Sequence, residues 1–262
     1  MPDTVLLEID DSVATMTLNR PDSLNAIDHV LAKDLREAAL EAEMNSQVRC
    51  LVVRGSGPAF MAGGDIRAFK ERLGKDLDRY MIDVTHDLHD AIMAFRRMPK
   101  PVVASVHGAA AGAGFSLAMS CDMVIATEDA VFTLAYSVIG ASPDGSSTYS
   151  LPRLVGYHRA MELMLLSDRF GAERAQELGL INFVVPKDEL KSETEKLATR
   201  LSKGPTFAFG RAKALLGQSL ERGIGDQLDA EAQNIMECSR TADFAEGIDA
   251  FLNKRKPTFV GR

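Results

Sequence analysis

Two short, nearly uninterrupted apolar segments, residues 48–53 and 102–106, each lead into a glycine-rich loop. Runs of this length and composition are typical of strands that are buried on both faces of a parallel sheet. Apolar positions recur at helical spacing in residues 28–45 and 81–95, directly before each run. Because parallel strands need long crossover connections and helices supply them, the alternation predicts an α/β fold.

The rest of the chain divides into a strand-bearing part and a helical part. An N-terminal hairpin and two later strands are expected in the first part, followed by a polar turn and a further helix. These segments are residues 5–9, 13–18, 123–126, 131–134, 140–147 and 158–166. After about residue 187, helical patterns alone remain, at 189–201, 206–220, 224–238 and 243–255. The pattern indicates an α/β core over residues 1–200 and a helical region over residues 201–262.

Charge and composition exclude several classes of function. The chain carries a formal net charge of −7, four tyrosines and no tryptophan, which disfavours nucleic-acid binding. Its three cysteines lie far apart and outside any Cys/His cluster, so neither a disulfide framework nor a thiolate metal site is expected. This cysteine usage favours a reducing, cytoplasmic location. Acidic residues in the first twenty positions argue against a signal peptide, and no apolar run is long enough to predict a membrane span.

The two glycine-rich loops are the first candidates for a functional site. They are FMAGGDI at residues 60–66 and GAAAGAG at residues 108–114, and the second runs into an apolar helix. Small residues let a ligand approach the backbone, and free N–H groups at a helix start attract negative charge. Two such loops can supply a pair of donors to one developing oxyanion. From composition alone, glycines that merely permit turns and tight packing explain the loops better.

The order of four motifs along the chain favours a functional site over ordinary turns for these loops. LNRPDSLNAID at residues 18–28, the first loop, KPVVASVHGAAAGAGFSLAMSCDMVIAT at 100–127 and FLNKRKPTF at 251–259 follow each other along the chain. Together they resemble the enoyl-CoA hydratase/isomerase, or crotonase, family over essentially the whole sequence. The resemblance implies a spiral of strand-strand-helix repeats with a helical C-terminal region that packs homotrimers or hexamers. It also implies an acyl-CoA thioester substrate, with CoA entering as part of that substrate and with no separate cofactor or metal.

By the same resemblance, the backbone N–H groups of Gly64 and Ala113 form an oxyanion hole for the thioester carbonyl. A further set of residues matches positions that line the CoA nucleotide and pantetheine. These are Leu24, Ala26, Ala62, Asp65 and Ile66. Phe251 and Lys254 match tail positions that approach CoA from a neighbouring subunit in this family.

The residues for proton transfer depart from those of the family's hydratases. Hydratases use two glutamates, and the matching positions here are Ser116 and Tyr136, which are not carboxylate bases at neutral pH and are expected to shape the pocket. Asp144 instead directly follows a proline in the turn ASPDGSS, which resembles the turn of 3-enoyl-CoA to 2-enoyl-CoA isomerases. In those enzymes a carboxylate at this position moves a proton between C2 and C4. A Pro-Asp-Gly sequence is also common in ordinary turns.

Three alternatives to an isomerase remain open at this stage. The same turn resembles that of 4-chlorobenzoyl-CoA dehalogenases, where the aspartate is a nucleophile and a helix histidine activates water. His89 falls near that position, although a solvated helix face also explains it, and Tyr136 stands where the dehalogenase has tryptophan. The second alternative is a hydratase with an unnoticed second carboxylate. The third is a noncatalytic acyl-CoA-binding assembly subunit.

Overall fold

The structure, a computed structural model, describes residues 4–262 and contains nine strands and eleven α-helices within that range. The strands are β1 (Val5–Asp10), β2 (Val13–Leu18), β3 (Cys50–Gly55), β4 (Val102–Val106), β5 (Ala109–Ala111), β6 (Met123–Thr127), β7 (Val131–Thr133), β8 (Phe170–Gly171) and β9 (Phe183–Val185). The helices of the first part are α1 (His29–Met44), α2 (Ile66–Arg72), α3 (Leu77–Arg97), α4 (Ala113–Ser120), α5 (Ser147–Val155), α6 (Tyr157–Leu166) and α7 (Ala172–Glu177). The last four are α8 (Leu190–Ser202), α9 (Thr206–Gln218), α10 (Ile224–Cys238) and α11 (Ala242–Leu252).

Two sheets organise the molecule. The larger one has six strands in the order β1-β2-β3-β4-β6-β9, and all pairs except the β1-β2 hairpin are parallel. The smaller sheet has the order β5-β7-β8, with β5 and β7 parallel. Strands, helices and the C-terminal helical region follow the predicted α/β pattern, so the expected fold class is confirmed.

The larger sheet is covered on both faces, which explains the uninterrupted apolar runs. Helices α1 and α3 pack over one face in the main hydrophobic core, to which Leu51 and Phe95 belong. Helix α8 packs over the other face, where Val52 and Val103 meet Ala198. Alternating side chains of β3 are therefore buried in two different cores.

The C-terminal helical region is fastened to the core by polar contacts around one arginine. The Arg49 guanidinium donates to the Thr206 hydroxyl at 2.9 Å and to the carbonyls of Gly204 and Phe259 at 2.5 and 3.2 Å. The buried Asp243 carboxylate accepts from the backbone N–H groups of Val260 and Gly261. The first set of contacts ties the end of the chain to Arg49 and the start of α9, and the second ties it to α11.

Six elements lie where the sequence pattern indicated none, and β8 and β9 are two of them. Strand β5 occupies part of the second glycine-rich loop, and α2 and α7 are short helices of seven and six residues. Helix α5 begins at the end of the segment that the sequence predicts as a polar turn, and it carries Pro152 in its interior. None of the helices in residues 4–262 combines the length and the apolar character that crossing a membrane requires.

Candidate active site

The two glycine-rich loops run side by side beyond the carboxyl ends of β3 and β4, two neighbouring strands of the larger sheet. The Met61 N–H donates to the Ala109 carbonyl at 3.0 Å, and the Ala111 N–H donates to the Met61 carbonyl at 2.9 Å. An ideal Cβ on Gly114 would lie 2.1 Å from the Met61 carbonyl oxygen, so a larger residue there would separate the loops. The loops that the sequence singled out therefore meet, although they are about fifty residues apart in the chain.

Backbone geometry at the point of contact requires glycine. Gly63 has φ +92° and Gly112 has φ +52°, both in the region that side chains rarely adopt. A Cβ built on Gly63 would lie 3.7 Å from the Gly112 Cα atom. Gly64 and Ala113, the residues that follow, are consequently brought close together.

The N–H groups of Gly64 and Ala113 do not donate to any other group within residues 4–262. Ala113 is the first residue of α4, where backbone N–H groups have no partner inside the helix. The positive end of the α4 dipole adds to the attraction for a negative oxygen. The pair has the composition of an oxyanion hole: two backbone donors on adjacent loops, one of them at a helix start.

The first loop is held in place by two polar residues near the N-terminus. The fully buried Asn25 side chain donates to the carbonyls of Ser56, Ala59 and Phe60 at 2.9, 2.8 and 3.1 Å. The Arg20 guanidinium lies 3.1 Å from the Asp65 carboxylate and 3.0 Å from that of Asp28. These contacts fix the start of α2 relative to the segment before α1.

Residues predicted to line the CoA moiety lie around this anchored loop. The Ala62 N–H donates to the Leu24 carbonyl at 3.0 Å, and the Asp65 carboxylate accepts from the N–H groups of Arg67 and Ala68 as the cap of α2. Leu24 is 43% exposed and Ile66 is 51% exposed, whereas Ala26 is buried. The structure therefore brings four of these residues to one strip beside the two donor amides, and Ala26 lies buried beneath it.

The tail residues lie elsewhere in the fold. Phe251, on α11, is 83% exposed, and Lys254 follows the helix in a left-handed conformation with φ 51°. Both belong to the C-terminal helical region, in which several other apolar side chains are exposed.

Ser116 and Tyr136 form a buried polar pair behind the donors. Ser116 lies on α4, one turn after Ala113, and its hydroxyl is 3.1 Å from the Tyr136 hydroxyl. Burial raises the pKa of the Tyr136 phenol, and the neighbouring Asp144 carboxylate raises it further. The phenol is therefore neutral across the physiological pH range and acts as a hydrogen-bonding group.

Asp144 lies in a turn that packs directly on this pair. An ideal Cβ on the next residue, Gly145, would lie 2.7 Å from Ser116 Cβ and 3.5 Å from the Tyr136 hydroxyl. The Asp144 Oδ1 atom is buried and has no hydrogen-bond partner within residues 4–262. A carboxylate oxygen in this state is available to a bound substrate.

His89, on α3, reaches the same turn. Its Nε2 atom lies 2.6 Å from the backbone carbonyl oxygen of Asp144, so the ring donates to the peptide rather than to the carboxylate. His86, one turn earlier, is exposed. The sequence pattern of histidines among aspartates describes an exposed helix face correctly, but it does not reveal this contact.

Other residues of the site were not identified from the sequence. Asn25 and Arg20, which anchor the first loop, lie within a motif that was used only for the resemblance. Ser146, Ser147 and Ser150 contribute buried hydroxyls beside Asp144, although serine-rich sequence here indicated only a turn. Their role depends on a helix whose start the sequence pattern does not show.

Known proteins share both the sequence and the fold. The enoyl-CoA hydratase/isomerase family model matches residues 8–262. A 1,2-epoxyphenylacetyl-CoA isomerase of Escherichia coli K12 is 35% identical over 100% of both chains. A trans-2-decenoyl-[acyl-carrier-protein] isomerase of Streptococcus mutans is 30% identical over 98% of both. The crystal structure of an enoyl-CoA hydratase from Polaromonas sp. JS666 superimposes with a TM-score of 0.92 and 34% identity, covering 97% of this chain and 99% of that one.

The family match spans nearly the whole chain, and the superposition extends through the spiral core and the C-terminal helices. Relatives named as hydratases and as isomerases occur at similar identity, so similarity alone does not select the reaction. The chain belongs to the enoyl-CoA hydratase/isomerase family of the crotonase superfamily.

Proposed function

We propose that this chain is an enoyl-CoA isomerase, which converts a 3-enoyl-CoA into a 2-enoyl-CoA. The observation that carries the proposal is the buried, unpartnered Oδ1 atom of Asp144, in a turn packed on Ser116 and Tyr136. Moving a double bond needs one group that removes a proton and returns it. A single carboxylate with a free oxygen meets that requirement.

The proposed reaction has two proton transfers. The N–H groups of Gly64 and Ala113 donate to the thioester oxygen, and Asp144 removes a proton from C2. The electron pair of the broken C–H bond passes to that oxygen and leaves a dienolate. Asp144 then returns the proton to C4, which shifts the double bond to C2–C3 and restores the thioester carbonyl. Two aligned donors stabilise the dienolate, and each such donor is typically worth about 10²–10³-fold in rate.

The chemistry around Asp144 supports isomerisation over hydration. Hydration needs a second ionisable group to activate water. The side chains packed against the Asp144 turn include a serine and a phenol of raised pKa, and the His89 ring is engaged with the Asp144 backbone carbonyl. The serine and the phenol do not remove a proton from water efficiently at neutral pH. These groups instead orient the carboxylate and the reacting carbons.

Substrate recognition is proposed to follow the family pattern. The strip from Leu24 to Ile66 takes the CoA moiety, and the Phe251 and Lys254 side chains approach it from a neighbouring subunit of a homotrimer or hexamer. The exposed apolar residues of the C-terminal helices support such an assembly. CoA enters as part of the substrate, and the enolate chemistry described above uses no further cofactor. Three free cysteines are consistent with a cytoplasmic location.

The test of the isomerase is double-bond migration in deuterated water. We expect 3-hexenoyl-CoA to become 2-hexenoyl-CoA, with deuterium appearing at C2 or C4 in the product. Asp144→Asn keeps the shape but removes the base, so the rate is expected to fall by at least about 10³-fold. The His86→Gln variant, on the exposed face of α3, is the control and keeps full activity. Rapid hydration of crotonyl-CoA by the wild type would contradict the assignment.

One observation favours a second candidate, a hydrolase or dehalogenase that uses Asp144 as a nucleophile. His89 Nε2 lies 2.6 Å from the Asp144 backbone carbonyl oxygen, so a histidine reaches the turn that carries the carboxylate. A nucleophilic aspartate needs such a histidine nearby to activate water. A single turnover of 4-chlorobenzoyl-CoA in ¹⁸O water distinguishes the two reactions. Label in the Asp144 carboxylate, lost in His89→Gln, would establish the hydrolase; an unlabelled carboxylate here, together with deuterium at C2 or C4 of the 2-hexenoyl-CoA formed in deuterated water, supports the isomerase.

A further inference from the structure

The turn that carries Asp144 has few hydrogen bonds to the rest of the backbone. The Ala141 N–H donates to the Tyr136 carbonyl at 3.0 Å, and α5 begins at Ser147. Between these points, no N–H group of residues 142–146 donates to a backbone carbonyl within residues 4–262. Because no secondary structure fixes this segment, its position depends on contacts with side chains of other elements.

One such contact comes from α3. The His89 Nε2 atom lies 2.6 Å from the backbone carbonyl oxygen of Asp144. A carbonyl oxygen only accepts hydrogen bonds, so Nε2 carries a proton and donates. Both the charged ring and the neutral tautomer that is protonated at Nε2 make this bond. That nitrogen is therefore engaged as a donor and has no lone pair left to take a proton from water.

Helix α3 is a rigid support for this donor. Leu88, directly before His89, is buried in the main core, where α3 packs along α1. An ion pair of 2.5 Å between Arg36 and Asp87 also joins the two helices. His89 itself is exposed. Its bond to Asp144 consequently contributes little to the core, and its main effect is to fix the turn relative to α3.

The same turn also contacts α4. An ideal Cβ on Gly145 would lie 2.7 Å from the Cβ atom of Ser116, which lies on α4 one turn after Ala113. The turn therefore meets both α3, which holds the Asp144 carbonyl, and α4, which carries one proposed oxyanion donor. A shift of the turn changes the distance between the Asp144 carboxylate and the carbon atoms of a thioester bound at that donor.

We propose that His89 is a positioning residue: its Nε2–H group holds the Asp144 peptide and thereby fixes the carboxylate relative to the carbon atoms that exchange the proton. The inference rests on the proposed isomerase and adds a residue to its machinery. His89 acts only through Asp144 and does not touch the substrate. A misplacement of about 1 Å between reacting groups costs about 10²-fold in rate. Water replaces part of a bond that is lost at an exposed position, so a smaller effect, about tenfold, is expected.

Two substitutions separate hydrogen bonding from size. In His89→Gln the side-chain Nε2 is as many bonds from Cβ as in histidine and still donates. His89→Met has a methyl group at the same point and cannot donate. Glutamine and methionine have similar helix propensities, so both variants affect α3 equally. His86→Met, at the exposed position one turn earlier on α3, is the matched control.

The kinetic measurement uses 3-hexenoyl-CoA. We expect kcat to fall about tenfold in His89→Met and to stay within about threefold of the wild type in His89→Gln, as loss of one hydrogen bond implies. KM is expected to stay within about twofold in both, because the strip proposed to bind CoA lies elsewhere, and a merely structural role would not produce this split. His86→Met is expected to keep the wild-type kcat.

Crystal structures of the variants test the proposal without turnover. We expect the Asp144 carboxylate to keep its distances to Ser116 and Tyr136 in His89→Gln. In His89→Met it is expected to move by about 0.5 Å or more, the tolerance within which catalytic groups must be held. Melting temperatures are expected to be nearly equal, since position 89 is exposed.

The outcomes separate the two proposals. If the wild type isomerises no 3-enoyl-CoA, the isomerase is overturned, while movement of the turn in His89→Met but not in His89→Gln still supports the positioning role. Wild-type kcat in His89→Met, or an unmoved Asp144, overturns the positioning role and leaves the isomerase standing. Equal losses of kcat in His89→Gln and His89→Met mean that the imidazole ring itself is required, and they overturn the donor role.

Discussion

At the scale of single residues, the proposed oxyanion hole depends on backbone conformation rather than on side chains. Gly63 and Gly112 adopt positive φ values directly before Gly64 and Ala113, the residues that carry the two proposed N–H donors. Such conformations cost free energy in any other residue and persist because the surrounding strands fix them. Only a proline substitution removes a backbone N–H donor, but other substitutions can misplace it.

The Gly112→Ala variant is designed to misplace one donor, the Ala113 N–H. A Cβ at φ +52° is strained, although it would meet the Gly63 Cα atom and the Leu134 carbonyl oxygen only at an ordinary contact distance of 3.6 Å. The backbone is therefore expected to relax and move the Ala113 N–H. We expect kcat for the isomerisation to fall about 10²-fold or more. Gly179→Ala is the matched control, since Gly179 also has positive φ and open space but lies between α7 and β9. If both variants lose stability equally and neither loses rate, the oxyanion assignment is wrong.

Lys100 provides a residue-scale test of pH dependence. Burial lowers the pKa of its ammonium group to about 8, while Nζ donates to the carbonyls of Ala42 and Asn45 at the end of α1. The unfolded chain keeps the ordinary pKa, near 10.5. Between these values the unfolded state binds the proton and the native state does not, so this lysine's contribution to stability rises with pH.

The measurement compares urea unfolding of the wild type and Lys100→Met between pH 8 and pH 10. We expect the stability of the wild type, relative to the variant, to increase by about 2 kcal/mol across this range. Using the difference removes the titration of the exposed lysines, which both proteins share. If the free energies of unfolding of the two proteins change in parallel between pH 8 and pH 10, the buried ammonium keeps its proton over this range.

At the scale of elements, the long pieces of the fold are predictable and the short ones are not. Strands β3 and β4 follow from their apolar runs because the sheet is covered on both faces. Strand β5 consists of three alanines, and its pairing with β7 depends on a partner twenty residues away. Helix α5 starts among serines and contains Pro152, so its local sequence favours a turn until α4 and α6 pack against it.

The same limit applies to the site. The motifs predict the two glycine-rich loops and the turn that carries Asp144, because each of these features is local in the sequence. The contact between His89 and Asp144 joins residues 55 positions apart, and it exists only because α3 lies beside the turn before α5. Arg20 likewise reaches Asp65 across 45 positions. Contacts of this kind depend on tertiary packing, which one sequence does not encode in any local pattern.

The two acidic helix caps that share Arg20 allow a test at this scale. Asp65 caps α2 and Asp28 caps α1, and each carboxylate pairs with the same guanidinium. We expect Asp65→Ala and Asp28→Ala to destabilise the protein by a similar amount, about 1 kcal/mol each. Because only Asp65 lies in the proposed CoA strip, only its variant is expected to raise KM, by several-fold. If the two variants have equal melting temperatures and equal KM values, Asp65 does not belong to the CoA-binding site.

At the scale of the whole molecule, large exposed apolar side chains are more closely spaced in the short C-terminal helical region than in the α/β core. Large exposed side chains recur along the last three helices and the segments that join them. They are Leu216, Leu220, Ile224, Leu228, Ile235, Met236, Ile248, Phe251 and Leu252. Exposed apolar side chains that cluster in one region indicate an interface, whereas scattered ones do not.

The final prediction is that these helices assemble the chain into a trimer or a hexamer. We expect light scattering at micromolar concentration to give three or six times the 28.4 kDa mass of one chain. Leu228→Lys/Ile235→Lys places two charges on the exposed face of α10, where their desolvation opposes assembly, so the mass is expected to fall. Met44→Lys, at a more exposed position on α1 outside the C-terminal helices, leaves the assembly intact. If Phe251 and Lys254 act across subunits, the dissociated variant also loses affinity for CoA thioesters while retaining its helical circular dichroism. A wild-type protein that remains a monomer would refute both the assembly and the shared site.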